Sequence, residues 1–101
     1  MARPDMGKTG TLNVKLRIEG RVQGVGYRYW VVRQAGLIGI EGWVRNRRDG
    51  SVEAVLSGAP DAVLHMVSTC REGPPMARVT SVRETPHDGP VEAGFHTCET
   101  G

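Results

Sequence analysis

The sequence predicts an α+β sandwich in which two helices cover one face of an antiparallel sheet. Three observations lead there. Apolar and polar residues alternate from Leu12 to Glu19, and Val52, Ala54 and Leu56 repeat the period of two, the period of strands with a buried face. Two stretches, beginning near Tyr27 and Pro60, carry apolar residues at helical spacing. The order along the chain is strand, helix, strand, strand, helix, strand. Two strand–helix–strand units joined by a hairpin make the ferredoxin-like arrangement, βαββαβ, here with a short extra strand at the C-terminal end.

Each element has its own warrant. Leu12, Val14, Leu16 and Ile18 alternate with Asn13, Lys15, Arg17 and Glu19 in the first strand. Gly20 to Gly26 is too rich in glycine for regular structure. From Tyr27 the spacing of Val31, Gln34 or Ala35, and Ile38 predicts a helix, which Gly36 or Gly39 can end. Ile40 to Arg45 reads as a short strand and Asn46 to Gly50 as a turn, with Asp49-Gly50 a hairpin signal. Val52, Ala54 and Leu56 form the returning strand. Pro60 and Asp61 suit a first helical turn, and Val63, Met66, Val67 and Cys70 make the apolar stripe of the second helix. Gly73-Pro74-Pro75 stops it. Arg78 to Arg83 and Gly94 to Glu99 complete the strands. Residues 1–11 read as a flexible N-terminal tail and residues 12–101 as one domain, the size that 101 residues support.

Composition narrows the function. No apolar run approaches the ~20 residues that cross a bilayer, and the polar N-terminus lacks a secretion signal, so a cytoplasmic protein without membrane contact is expected. The net charge of +2 is too small to argue for a nucleic-acid binder. The outward residues of the first strand include no aromatic side chain on which RNA bases could stack. Of the thirteen basic residues eleven are Arg, the side chain whose planar fork suits oxyanions. Cys70 and Cys98 show no metal-ligand spacing and read as reduced, partly buried thiols, with a disulfide left open. His65, His87 and His96 are scattered and read as structural or surface residues. No metal and no cofactor is called for, and a monomer is expected.

Topology brings two segments together. The first two strands run parallel through a right-handed crossover, and the third lies between them. The glycine loop and the Asn46 turn therefore meet at one rim, about two strand spacings or roughly 10 Å apart. Gly24 and Gly26 allow positive φ, so successive amides can turn inward, and the loop feeds a helix N-terminus where unpaired N–H groups favour phosphate. Neither a Walker A motif nor a dinucleotide fingerprint is present, since no Lys-Ser or Lys-Thr follows the glycines and Tyr29 stands where a third glycine belongs. Arg28 falls in the first helical turn, where a cation opposes the helix dipole unless an anion balances both. Asn46, a good turn residue, could instead bind and aim a water. Arg21, Arg45, Arg47 and Arg48 read individually as solvated, with a modest collective pull on anions.

These residues match known signatures. Gly20-Arg21-Val22-Gln23-Gly24-Val25-Gly26-Tyr27-Arg28 resembles the first acylphosphatase signature, with Tyr27 in place of the usual Phe. Gly42-Trp43-Val44-Arg45-Asn46, with Gly50, Val52 and Gly58, resembles the second, and Gly73 to Val79 resembles the family's segment after its second helix. The resemblance runs from Val14 to Val82. It implies a stand-alone, metal-independent hydrolase of acyl phosphates that releases inorganic phosphate. It further implies that Arg28 binds the phosphoryl group, that amides of Gln23, Gly24, Val25, Gly26, Tyr27 and Arg28 cradle it, and that Asn46 positions the attacking water. A phosphate sensor without turnover is the competing expectation.

Overall fold

The computed structural model describes residues 10–101, so the expected tail, apart from Gly10 and Thr11, lies outside the described residues. The elements are β1 (Leu12–Arg21), α1 (Tyr27–Ile38), β2 (Glu41–Asn46), β3 (Val52–Gly58), α2 (Pro60–Glu72), β4 (Arg78–Pro86) and β5 (Phe95–Thr97). They build one sheet in the order β4-β1-β3-β2-β5. β3 lies between β1 and β2, as the ferredoxin-like order requires.

The four long strands pair antiparallel throughout. β5 does not: it runs parallel to β2, with Gly42 beside Phe95 and Val44 beside Thr97, so the sheet as a whole is mixed. The cause is the direction of β4. That strand ends at the edge of the sheet where β2 begins, and residues 87–94 cross along that edge, so β5 must set out in the same direction as β2. β4 also extends three residues beyond the expected Arg83, because the ten-residue β1 offers partners as far as Val14. Pro86 is tolerated there because β4 is an edge strand.

Val14, Leu16 and Ile18 of β1, Val44 of β2 and Val52, Ala54 and Leu56 of β3 point to one face. They are covered by Tyr27, Val31 and Ala35 of α1 and by Val63, Met66, Val67 and Cys70 of α2. α1 lies over β2 and β5, and α2 over β1, β3 and β4, so both helices share one face of the sheet. Gly39, not Gly36, ends α1: its φ of 91° is left-handed, and its N–H donates to the Ala35 carbonyl. No helix among the described residues is long and apolar enough to cross a membrane.

Tyr27 anchors the start of α1. Its ring is buried, and its hydroxyl donates to the Cys70 carbonyl at 2.7 Å. In a continuing helix that carbonyl would accept from residue 74, which is proline and has no N–H. The phenol therefore satisfies a helix-end acceptor that its own helix cannot. Burial raises the Tyr27 pKa far above the usual phenol range and pushes the Cys70 thiol up to about 12, so both stay protonated at neutral pH. Tyr27→Phe should leave that buried carbonyl unpaired and lower stability by about 1–3 kcal/mol. A urea unfolding midpoint that falls with an unchanged slope is the expected result.

Candidate active site

The rim predicted from topology exists as an open cavity of about 330 Å³. Gly24, Gly26 and Arg28 line it from the loop and the start of α1, Tyr29 and Val32 from further along α1, Asn46 from the end of β2, and Thr97 from β5. Val22 and Tyr27 form its floor, both buried.

The local chain course follows from the glycines. Gly24 and Gly26 have φ of 75° and 80°, a left-handed backbone that side-chain-bearing residues adopt at a cost. The two kinks bend residues 22–26 into a tight loop that delivers the chain into α1. Gly26 is the N-cap and offers no side chain, and the first turn holds no acidic residue. Trp30 N–H already bonds the Gly26 carbonyl at 3.1 Å. The amides before it are the orphan donors of a helix N-terminus, and together with the dipole they make a positive concavity. Arg28 adds a full charge to it. Among the described residues no carboxylate lies within ion-pair distance of Arg28.

Asn46 occupies the far side. It pairs with Val52 in the hairpin, and its carbonyl accepts from Gly101 N–H at 3.0 Å. Its side-chain Oδ1 is buried without a hydrogen-bond partner among the described residues. A buried acceptor left unpaired costs about 1–3 kcal/mol, so a donor brought to this oxygen would be stabilising.

Of the residues singled out in the sequence, Gly24, Gly26, Tyr27, Arg28 and Asn46 are brought together. Val25 packs against the core, and the Gln23 side chain turns toward the hairpin. Val22, Tyr29, Val32 and Thr97 join the lining unforeseen. Spacing along α1 could have flagged Val32, one turn beyond Arg28; nothing in the sequence signalled Thr97, whose place depends on the parallel course of β5. Cys70 is buried and Cys98 partly buried, both as free thiols. The described residues gather no group of three or more His, Cys, Asp or Glu suited to a metal ion.

A second concavity, about 400 Å³, lies on the open sheet face between Lys15, Arg17, Arg47, Glu53 and Arg83. Its cations are largely committed. Glu53, whose side chain is only 13% exposed, accepts from Arg45 at 2.8 Å and Arg47 at 3.0 Å, with Lys15 at 3.7 Å. Burial alone would raise the Glu53 pKa, but the two guanidinium hydrogen bonds outweigh it and hold the carboxyl below its ordinary value. Arg17 bonds Glu19 and Asp49. Ser51 and Arg17 hold the Asp49 carboxyl well below its usual range. This face is an ionic lattice that braces the hairpin from Arg45 to Ser51. The cavity at Arg28 combines a cation with unpaired amides, and the open face does not.

Known proteins resemble this chain throughout the folded region. The acylphosphatase family model matches residues 14–97. An acylphosphatase of Bradyrhizobium diazoefficiens is 64% identical over 69 residues, which are 68% of this chain and 70% of that protein. The crystal structure of acylphosphatase from Bacillus subtilis superposes with a TM-score of 0.79 at 35% identity, covering 86% of this chain and 98% of that one. An acylphosphatase from Coxiella burnetii superposes with a TM-score of 0.84 at 28% identity, covering 97% of this chain and all of the other.

Proposed function

The chain belongs to the acylphosphatase family, and from that premise we propose how its rim cavity hydrolyses acyl phosphates. The activity is that of a hydrolase splitting the carboxyl–phosphate anhydride into a carboxylate and inorganic phosphate. The observation that carries the mechanism is the composition of the cavity. It joins Arg28, the glycine loop and Asn46, whose amide oxygen has no partner among the described residues, and its lining contains no carboxylate and no imidazole.

Phosphoryl transfer has a loose transition state with charge spread over three equatorial oxygens. Arg28 and the amides of residues 23–28 face that charge, the guanidinium holding two oxygens at once. Asn46 Oδ1 accepts a hydrogen bond from a water and aims its oxygen at phosphorus, opposite the acyl oxygen. As the new P–O bond forms, the old one breaks, and the carboxylate leaves with the bonding pair. Its conjugate acid has a pKa of about 4, so it departs without a proton. One proton of the attacking water passes to a phosphate oxygen, which replaces the missing general base. Neither a protein acid nor a metal has a step to perform.

The test is the loss of ultraviolet absorbance of benzoyl phosphate in EDTA, with inorganic phosphate as competitor. Rapid hydrolysis that phosphate inhibits, with a rate flat between pH 5 and 7, is expected. Activity that vanishes in EDTA and returns with a divalent cation would overturn the metal-independent mechanism. Phosphate binding without turnover would make the cavity a sensor.

A further inference from the structure

The two halves of the proposed site come from segments that the sheet does not join directly. The loop and Arg28 follow β1, Asn46 ends β2, and β3 lies between them. Catalysis by positioning needs the separation of these halves fixed within a fraction of an ångström; a 1 Å error can cost about 10²-fold in rate. We propose that the side chain of Gln23 is the positioning residue that sets this separation, an inference that rests on the reading of Asn46 above.

Gln23 Nε2 lies 2.8 Å from the carbonyl oxygen of Arg47 and 2.8 Å from that of Ser51. Both neighbours are acceptors, so the nitrogen end must face them, and both amide protons are used. Among the described residues these are the hydrogen bonds that connect the loop to the hairpin. Arg47 follows Asn46 directly, and Ser51 faces it across the hairpin mouth through the bond from Arg47 N–H to the Ser51 carbonyl at 2.8 Å. The Arg47 carbonyl also accepts from Gly50 N–H at 3.1 Å. The Gln23 amide therefore grips the two carbonyls that define the base of the turn. Two bonds to two points fix direction as well as distance, which a single bond cannot.

The rest of the hairpin is anchored elsewhere, which gives the clamp something rigid to hold. Gly101 N–H donates to the Asn46 carbonyl, Arg48 N–H donates to the Gly101 carbonyl, and Glu53 ties Arg45 to Arg47 on the open face. These contacts hold Asn46 to the sheet. They do not reach the phosphate loop, and Gln23 does.

A double-mutant cycle separates positioning from general support. Gln23→Met keeps the length of the side chain and removes the donor. Gln23→Ala removes the donor together with the side chain and adds no charge beside the anion, and it serves if the methionine variant does not fold. With benzoyl phosphate, either change should lower kcat by roughly 10- to 10²-fold while inhibition by phosphate stays within about twofold, because the loop itself is intact. In an Asn46→Ala background the same change should cost less than about twofold, since no aimed water remains to be misplaced. Three results would overturn the clamp: kcat unchanged in both Gln23 variants, an equal loss in the Asn46→Ala background, or phosphate inhibition weakening in step with kcat. Full activity in Asn46→Ala alone would instead sink the reading of Asn46, and the clamp with it.

Discussion

Arg28→Ala should lower kcat for an acyl phosphate by at least roughly 10²–10³-fold, the cost of about 2.7–4 kcal/mol that follows removal of one oxyanion donor. The expectation rests on where the guanidinium sits. It adds a full charge at a helix N-terminus that has no capping side chain and no acidic residue in its first turn. A cation there is unfavourable by a few tenths of a kcal/mol in the empty protein and favourable once a phosphoryl group arrives. Because Arg28 meets charge in both the ground and transition states, phosphate inhibition should weaken along with the loss of turnover. Lysine in its place should restore only part of the rate, since an ammonium lacks the planar fork. Stopped-flow or ultraviolet rates on a variant shown by circular dichroism to be folded provide the check. Full activity in that variant would remove Arg28 from the mechanism.

Asn46→Ala has a different signature. Its side-chain oxygen is buried and unpaired among the described residues, and in the proposed mechanism it bonds the water, not the phosphate. The expected result is a fall in kcat of roughly 10²-fold or more, the loss that follows an unaimed nucleophile, with inhibition by phosphate nearly unchanged. The fold should survive, because the Asn46 backbone keeps its pairing to Val52 and its bond from Gly101. Asn46→Asp is informative beside it. A carboxylate can accept from water equally well but would repel the anionic substrate, so its KM should rise where that of Asn46→Ala does not.

Much of this is legible in the sequence. β1 was readable because its inner face is buried, which forces Val14, Leu16 and Ile18 into strict alternation. The hairpin was readable because Asp49-Gly50 states its turn chemistry locally, and Gly50 does take a φ of 95°. The meeting of Arg28 and Asn46 followed from strand order, a matter of topology. Features that depend on a distant partner were hidden. A three-residue strand has no period to read, so the parallel course of β5, and with it Thr97 in the cavity, was invisible. The Tyr27 hydroxyl matters because residue 74 has no N–H, a relation that spans 47 positions from Tyr27. Arg45 and Arg47 looked like solvated cations on an open turn, but Glu53 gathers them into a brace. The sequence points to the backbone amide of Gln23, whereas its side chain reaches the base of the hairpin.

The most direct test of the account follows the oxygen. Benzoyl phosphate hydrolysed in water enriched in oxygen-18, with EDTA present, should place the label in inorganic phosphate and leave benzoate unlabelled, because in the proposed mechanism a water held at Asn46 attacks phosphorus in the Arg28 cradle. Label recovered in benzoate would mean attack at the carbonyl carbon and would contradict the proposed geometry of the site.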